Sequence, residues 1–168
     1  IDNEDYVSPG QLWLLRLNDS FNVVWSKNLA SSSEGFAVAE TADGFVAAGY
    51  VWTGGNRDIR VVRADNAGTK LWEQTFGWGG EDVARDIIVR PTGNYLLTGH
   101  GIPPGQTDTD LFLMELNPAG ELVWQTFLGG SSTQAGYSLL PIPGEEGSYV
   151  VGGRNGNDGW LIKFTTCE

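Results

Sequence analysis

Short apolar runs recur along the chain at a spacing near fifty residues. Leu12–Leu17, Ile59–Ala64 and Leu111–Leu116 are three such runs, and Gly159–Phe164 repeats the type near the C-terminus. A polar turn follows each of the first three: Asn18–Phe21, Asp65–Gly68 and Asn117–Gly120. A second run then ends in tryptophan, as Val23-Val24-Trp25, Lys70-Leu71-Trp72 and Leu122-Val123-Trp124, with the tryptophans 47 and 52 residues apart. After a Gly/Ser-rich stretch come two more runs per period. They are Phe36–Thr41 with Phe45–Val51, Val83–Val89 with Tyr95–His100, and Tyr137–Pro141 with Tyr149–Gly153. No run reaches the ten or so residues of an ordinary helix, and each is rich in Val, Leu, Ile and aromatics between turn formers. The pattern therefore predicts strands.

Four short antiparallel strands per period of about fifty residues is the signature of a propeller blade. A β-sandwich fits the strand count but not the repetition. A parallel β-helix has a shorter period, and a leucine-rich repeat shows its own leucine and asparagine spacing. The expected fold is all-β, with β-propeller-type blades of four antiparallel strands in three repeats plus one extra strand. The limits read from the sequence are a lead-in at 1–10, repeats at 11–57, 58–109 and 110–157, and a closing strand at 158–168. Three blades do not close a ring, and an open arc leaves edges exposed. The expected partners are thus further copies of the chain or adjacent blades of a longer one, with a self-capped stack as the alternative. A start at Ile1 rather than Met fits a processed or excised segment.

Composition sharpens this picture. The 24 glycines and 7 prolines are well above the ordinary combined share of roughly 12%, as expected for many turns and few helices. A net charge of −11 and a pI near 4.3 argue against nucleic acid as a partner, because phosphates need a basic face. They argue equally against docking on an anionic membrane. No apolar stretch is long enough to insert in a bilayer as a helix. Cys167 is the single cysteine, so neither an intrachain disulfide nor a cysteine zinc site is expected.

The recurring order is an aspartate, an apolar run, then [Asn/Asp]-x-Ala-Gly-x-x-[Val/Leu]-Trp, Gly-Gly, and later Gly-x-Tyr with an apolar triplet and Gly. It resembles the extracellular propeller-repeat proteins common in type IX-secreting bacteria. The repeating Trp is also similar to the tryptophan-docking pattern of quinoprotein-type propellers. The resemblance implies an extracellular or cell-surface location. It departs in the first repeat, where Phe21 stands for Gly68 and Gly120, and Gln11 for Asp58, Asp110 and Asp158. No WD dipeptide occurs.

In an antiparallel meander, alternate connections fall at opposite ends. The segments Ala30–Gly35, Trp52–Arg57, Gly77–Asp82, Gly101–Thr109, Gly129–Gly136 and Arg154–Asn157 then share one end and read as its longer loops. Loops on a rigid scaffold are where binding groups concentrate. Two tryptophans outside the repeat pattern, Trp52 and Trp78, fall there. With Arg57, Glu81, Asp82 and His100 they form a candidate ligand site of the kind that suits a glycan: flat apolar platforms beside polar groups. The bland alternative is that each Trp folds back and plugs a gap. Glu81 and Asp82 are also a carboxylate pair suited to acid–base work, or simply a solvated loop. His100 has no Ser, Cys or Asp partner motif for a triad, so a polar role at a solvent edge is the plainer reading. Asp108 and Asp110 are the candidate calcium ligands, although no EF-hand or nonapeptide loop is present. Trp25, Trp72 and Trp124, together with Asp58 and Asp158, are expected to be structural repeat positions, and Trp13 and Trp160 core. No further cofactor is implied. The functional expectation is a non-enzymatic binding or assembly segment. The alternatives are a structural unit of an oligomer, filament or sheath, and a fragment of a propeller enzyme.

Overall fold

The computed structural model describes residues 10–166; most of the lead-in, with Cys167 and Glu168, lies outside the described residues. Every regular element is a strand. In order they are β1 Gln11–Leu17, β2 Val23–Ser31, β3 Ser33–Thr41, β4 Gly44–Trp52, β5 Arg57–Asp65, β6 Lys70–Phe76, β7 Val83–Val89, β8 Tyr95–Gly101, β9 Asp110–Leu116, β10 Leu122–Leu128, β11 Gln134–Pro141, β12 Ser148–Asn155 and β13 Asp158–Thr165. All pairings are antiparallel. They make four sheets: β1-β2, β3-β4-β5-β6, β7-β8-β9-β10 and β11-β12-β13.

Strand positions and period agree with the sequence pattern, but the phase differs. Each four-stranded sheet takes its first two strands from one sequence repeat and its last two from the next. The sheets therefore straddle the limits 11–57, 58–109 and 110–157. A period in sequence sets the spacing of equivalent residues and says nothing about which strand opens a sheet. The first sheet has two strands and the fourth has three, so the uniform four-stranded unit holds only for the middle pair.

Alternation along the strands gives each middle sheet two apolar faces, which bury against its neighbours. Leu12, Leu29 and Ala30 of the first sheet pack on Ala47, Val62 and Ala64 of the second. Val46, Ala48, Ile59 and Val61 meet Ile87, Leu97, Phe112 and Met114 of the third. Leu96, Leu111 and Leu113 meet Leu139, Tyr149 and Val151 of the fourth. Each fully buried side chain of this size contributes at most about 1.5–3 kcal/mol. The outer faces of the end sheets have no such cover: Trp13 is 60% exposed, against its expected core role, and Leu161 is 79% exposed. Among the described residues, strand β13 has no hydrogen-bonded neighbour on its far side, nor does β1.

The short-turn end is built by one device used three times. Asn18 Oδ1 accepts the N–H groups of Ser20 and Asn22, Asp65 Oδ1 those of Ala67 and Thr69, and Asn117 Oδ1 those of Ala119 and Glu121. Such side chains replace the missing strand partners of a turn. The turn then needs a left-handed residue, supplied by Gly68 at φ 75° and Gly120 at φ 82°. In the first turn Phe21 takes φ 60° instead, with its ring 83% exposed.

Candidate functional site

Antiparallel order places the connections β2–β3, β4–β5, β6–β7, β8–β9, β10–β11 and β12–β13 at the opposite end. Two of the expected loops there are tight. Ser32 alone, at φ 52°, joins β2 to β3, and residues 156–157 join β12 to β13. Strand pairing continues through Ala30–Gly35 and most of Arg154–Asn157, which leaves longer loops at 53–56, 77–82, 102–109 and 129–133.

The sheets are locked together at this end by a repeated bond. Ser33, Asp82 and Gln134, at the entry to β3, β7 and β11, donate their backbone N–H to the carbonyls of Gly10, Arg57 and Thr109, at distances of 2.8, 2.7 and 2.8 Å. Those carbonyls sit at or just before the start of β1, β5 and β9. The side chains of Ser33, Asp82 and Gln134 are all buried.

Three residues further on, each of these strands bulges. The register shifts between Gly35 and Ala37, between Ala84 and Asp86, and between Gly136 and Ser138. Phe36, Arg85 and Tyr137 are the extra residues. Opposite each bulge stands a glycine whose place a Cβ could not share. A Cβ on Gly49 would lie 1.8 Å from Glu34 O, one on Gly99 2.0 Å from Val83 O, and one on Gly153 2.1 Å from Ala135 O. The next residues on those strands, Tyr50, His100 and Arg154, are again equivalent. Bulges re-aim side chains and are common beside binding sites. Here they present six variable side chains from an invariant backbone.

Between the second and third sheets three of these side chains, Phe36, Tyr50 and Arg85, join Trp52 and Arg57 in a run of aromatic rings and guanidinium groups. The Phe36 and Tyr50 rings lie 5.8 Å apart, and Tyr50 meets Trp52 edge-on at 6.1 Å. The Arg57 guanidinium lies 5.1 Å from the Tyr50 ring centre and 5.3 Å from that of Trp52, while Arg85 sits 4.5 Å over Phe36. Arg57 is also ion-paired with Glu81 at 2.5 Å. Three of the sequence candidates, Trp52, Arg57 and Glu81, thus come together, and Trp52 keeps 43% of its surface exposed.

Trp78 and Asp82 have internal roles. The Trp78 ring packs against Phe112 and Phe127, at 5.6 and 4.7 Å, and caps the core between the second and third sheets. Asp82 is fully buried and ties the loop down by accepting the N–H groups of Trp78 at 2.7 Å and Ile102 at 3.0 Å. Burial pushes its carboxyl up, and those N–H groups oppose the shift. With Asp82 enclosed and Glu81 held by Arg57, the two do not form a solvent-facing carboxylate pair.

His100 is mostly enclosed rather than at a solvent edge. Its pKa is lowered to about 4, first by desolvation and then by the charges of Arg85, Arg154 and Arg57. Its Nδ1 is buried without a hydrogen-bond partner among the described residues.

The recurrent aspartates abut recurrent glycines. A Cβ on Gly77 would meet Asp58 Oδ1 at 2.3 Å, and one on Gly129 would meet Asp110 Oδ1 at 1.9 Å. Asp58 also accepts the Thr53 hydroxyl at 2.6 Å. In the first repeat both members differ together, as Gln11 and Ala30. Asp158 is exposed. Asp108 is exposed and Asp110 buried; desolvation and Asp108 raise the Asp110 carboxyl, against the N–H of Gly130. Among the described residues no group of three or more His, Cys, Asp or Glu is placed to hold a metal ion.

The repeated tryptophans bridge successive sheets. Trp25 Nε1 donates to Asn66 O at 3.0 Å and Trp72 Nε1 to Pro118 O at 3.1 Å, each in the short turn of the next sheet. Trp124 Nε1 instead donates to Glu115 Oε2. At that short-turn end a cleft of about 560 Å³ lies between the second and third sheets, with Arg63, Trp72, Arg90 and Tyr95 in its walls.

Phe36, Arg85 and Tyr137 were absent from the sequence candidates because they lie inside strands. Their signal was the matched glycines 49, 99 and 153, which mark a bulge at the same place in each period. No family model matches the chain, and no curated protein matches its sequence.

Proposed function

We propose that this chain is a run of propeller-type blades, similar to the extracellular propeller-repeat proteins of type IX-secreting bacteria, and that it binds a glycan non-enzymatically at the end carrying the long loops. The observation that carries the reading is Trp52. It is a partly exposed indole at the mouth of a ring cluster, with the Arg57–Glu81 pair beside it. A sugar ring needs a flat apolar face to stack on and fixed polar groups for its hydroxyls. The rigid sheets below supply the preorganisation that holds these groups. A glycan array followed by calorimetric titration tests it. Trp52→Ala is expected to weaken binding at least tenfold while lowering the melting temperature by no more than a few degrees. Unfolding of that variant, or unchanged binding, refutes the assignment.

Assembly is a second reading, favoured by apolar faces that are uncovered, and edges of β1 and β13 that are unpaired, among the described residues. The strand types in the end sheets bear on the partner. The first sheet supplies only the outer pair of a four-stranded unit, and the fourth supplies the inner three. Merging them between two copies would place five strands where four belong, with the third-strand position filled twice. Adjacent repeats, bringing an inner pair to β1 and one outer strand to β13, fit without duplication. Light scattering at micromolar concentration separates the cases. A discrete dimer favours pairing of copies, and an extended oligomer or a stable monomer counts against a two-copy ring.

A further inference from the structure

Three arginines, Arg16, Arg85 and Arg154, have no carboxylate within 4 Å among the described residues, and Arg85 is the one of them that is the extra residue of a bulge. With 21 acidic and 10 basic residues, a guanidinium in this chain has no shortage of carboxylates. Arg57, Arg60, Arg63 and Arg90 each have one within 4 Å, and Arg16 donates to the Asn66 carbonyl. Among the described residues Arg85 has no carboxylate within 4 Å, and its Nε, like those of Arg57 and Arg60, is buried without a hydrogen bond. A partly buried guanidinium left unpaired is costly, and it occupies the bulge position at the matched register of β7. Three acids lie in this part of the fold, and Glu34 is directed at the Tyr50 hydroxyl. Asp86 accepts the backbone N–H groups of Ile87 and Leu139, and Glu81 holds Arg57.

Aromatic rings and further positive charge lie beside Arg85. Phe36 lies under its guanidinium at 4.5 Å, and Phe36 and Tyr137, which fill the same bulge position in β3 and β11, are 42% and 47% exposed. Arg154, on the strand paired with β11, likewise has no carboxylate within 4 Å among the described residues. His100, beside the β7 bulge, is uncharged at neutral pH, and its buried Nδ1 has no hydrogen-bond partner among the described residues.

We infer that Arg85, stacked on Phe36 and one sheet from Tyr137 at the equivalent bulge position, is a recognition site for the carboxylate of an acidic sugar, so that the glycan bound at this end carries uronic acid residues. A guanidinium fork matches a carboxylate with two parallel hydrogen bonds, and exposed aromatic rings take the C–H face of a pyranose. A neutral sugar would leave the arginine unpaired, which gives selectivity against it. The ligand class rests on the glycan reading above; the location does not depend on Trp52.

The probes are a trisaccharide of α-linked galacturonic acid and the corresponding neutral galactose trisaccharide, titrated calorimetrically into the intact chain. The acidic probe is expected to bind, more weakly at higher salt, and at least tenfold more tightly than the neutral one. Arg85→Gln is expected to remove that preference, and Arg16→Gln, at the short-turn end, to leave it intact. Tyr137→Ala, at an exposed position, provides a second variant if Arg85→Gln fails to fold, with a several-fold loss expected. Equal binding of both probes, no binding of the acidic probe at millimolar concentration, or full affinity in Arg85→Gln each overturn the inference. Neutral binding that is sensitive to Trp52→Ala but not to Arg85→Gln overturns it while leaving the Trp52 site standing. Acid binding that survives Trp52→Ala but not Arg85→Gln has the opposite meaning.

Discussion

Replacing Glu115 by alanine tests how the third and fourth sheets are joined. The Glu115 and Arg90 side chains are only 3% and 5% exposed and meet at 2.6 Å. Glu115 also accepts Asn94 Nδ2 at 2.6 Å and Trp124 Nε1 at 2.5 Å. Arg90 reaches the fourth sheet through the Tyr149 hydroxyl at 3.0 Å, and bonds Thr166 Oγ1 just beyond β13 at 2.7 Å. Alanine at 115 strands three donors and leaves the Arg90 charge buried without its partner. Breaking a buried pair in this way costs about 3–5 kcal/mol, or on the order of 6–20 °C in melting temperature for a chain of this size. Urea unfolding of the wild type and variant at pH 7 measures the difference. Removing both charges, as Arg90→Met with Glu115→Leu, is expected to cost less than the single Glu115→Ala change, because no buried charge is then left alone. Acid provides an independent arm. Burial raises the Glu115 carboxyl, but its Asn94, Arg90 and Trp124 donors outweigh that and hold it below the ordinary 4.5. A depressed carboxyl contributes stability that is present above the unfolded value and lost as pH falls through the folded one. The stability gap between wild type and variant should therefore narrow below about pH 4.5. A loss under about 1 kcal/mol at pH 7, the range of an exposed pair, would refute the reasoning.

Three further outcomes follow from the repeated positions. Gly99→Ala places a methyl 2.0 Å from Val83 O and 2.8 Å from Phe112, and should cost about 1–3 kcal/mol by overpacking; Gly159→Ala, with open space around it, should be nearly neutral in the same unfolding assay. Phe21→Gly should stabilise the chain by roughly 0.5–1 kcal/mol, because relief of a left-handed backbone worth about 1–2 kcal/mol exceeds the extra flexibility of glycine; an unchanged or lower melting temperature contradicts this. The single histidine should titrate by NMR near pH 4 rather than 6.5, and because its folded pKa is depressed, its contribution to stability is present above pH 6.5 and lost as pH falls from 6.5 towards 4.

Strand identity was legible in the sequence because strand-length apolar runs between Gly, Asn, Asp and Pro leave little choice of element. The turn device was legible too, since Asn18, Asp65 and Asn117 head three copies of one short motif. The phase of the sheets was not. Whether Leu12–Leu17 opens a sheet or sits third within one depends on contacts between runs, and Ile59–Ala64 pairs with both Gly44–Trp52 and Lys70–Phe76. The loop end was only partly legible. Ser-rich Ala30–Gly35 read as a loop, yet strand pairing persists up to a single left-handed Ser32. Trp52 and Trp78 looked alike in sequence. One lies at the end of β4, where its ring faces Arg57 and solvent; the other lies in a loop that Asp82 pulls down on to Phe112.

The internal repetition separates scaffold from recognition without any second sequence. Positions that hold the sheets together recur with the same chemistry: the entry N–H donors, the bulge-facing glycines 49, 99 and 153, and the docked Trp25 and Trp72. Had the bulge residues served packing alone, the same logic would make them alike, since each meets the same backbone geometry opposite a glycine. They are instead Phe36, Arg85 and Tyr137, followed across the bulge by Tyr50, His100 and Arg154. Variation at a geometrically fixed, partly exposed position is what a binding surface needs, because a common frame can then present different groups to one ligand. The same comparison explains why Trp78 is a poor recognition candidate despite falling outside the repeat: its ring lies on the core, and its loop is fixed by a buried carboxylate.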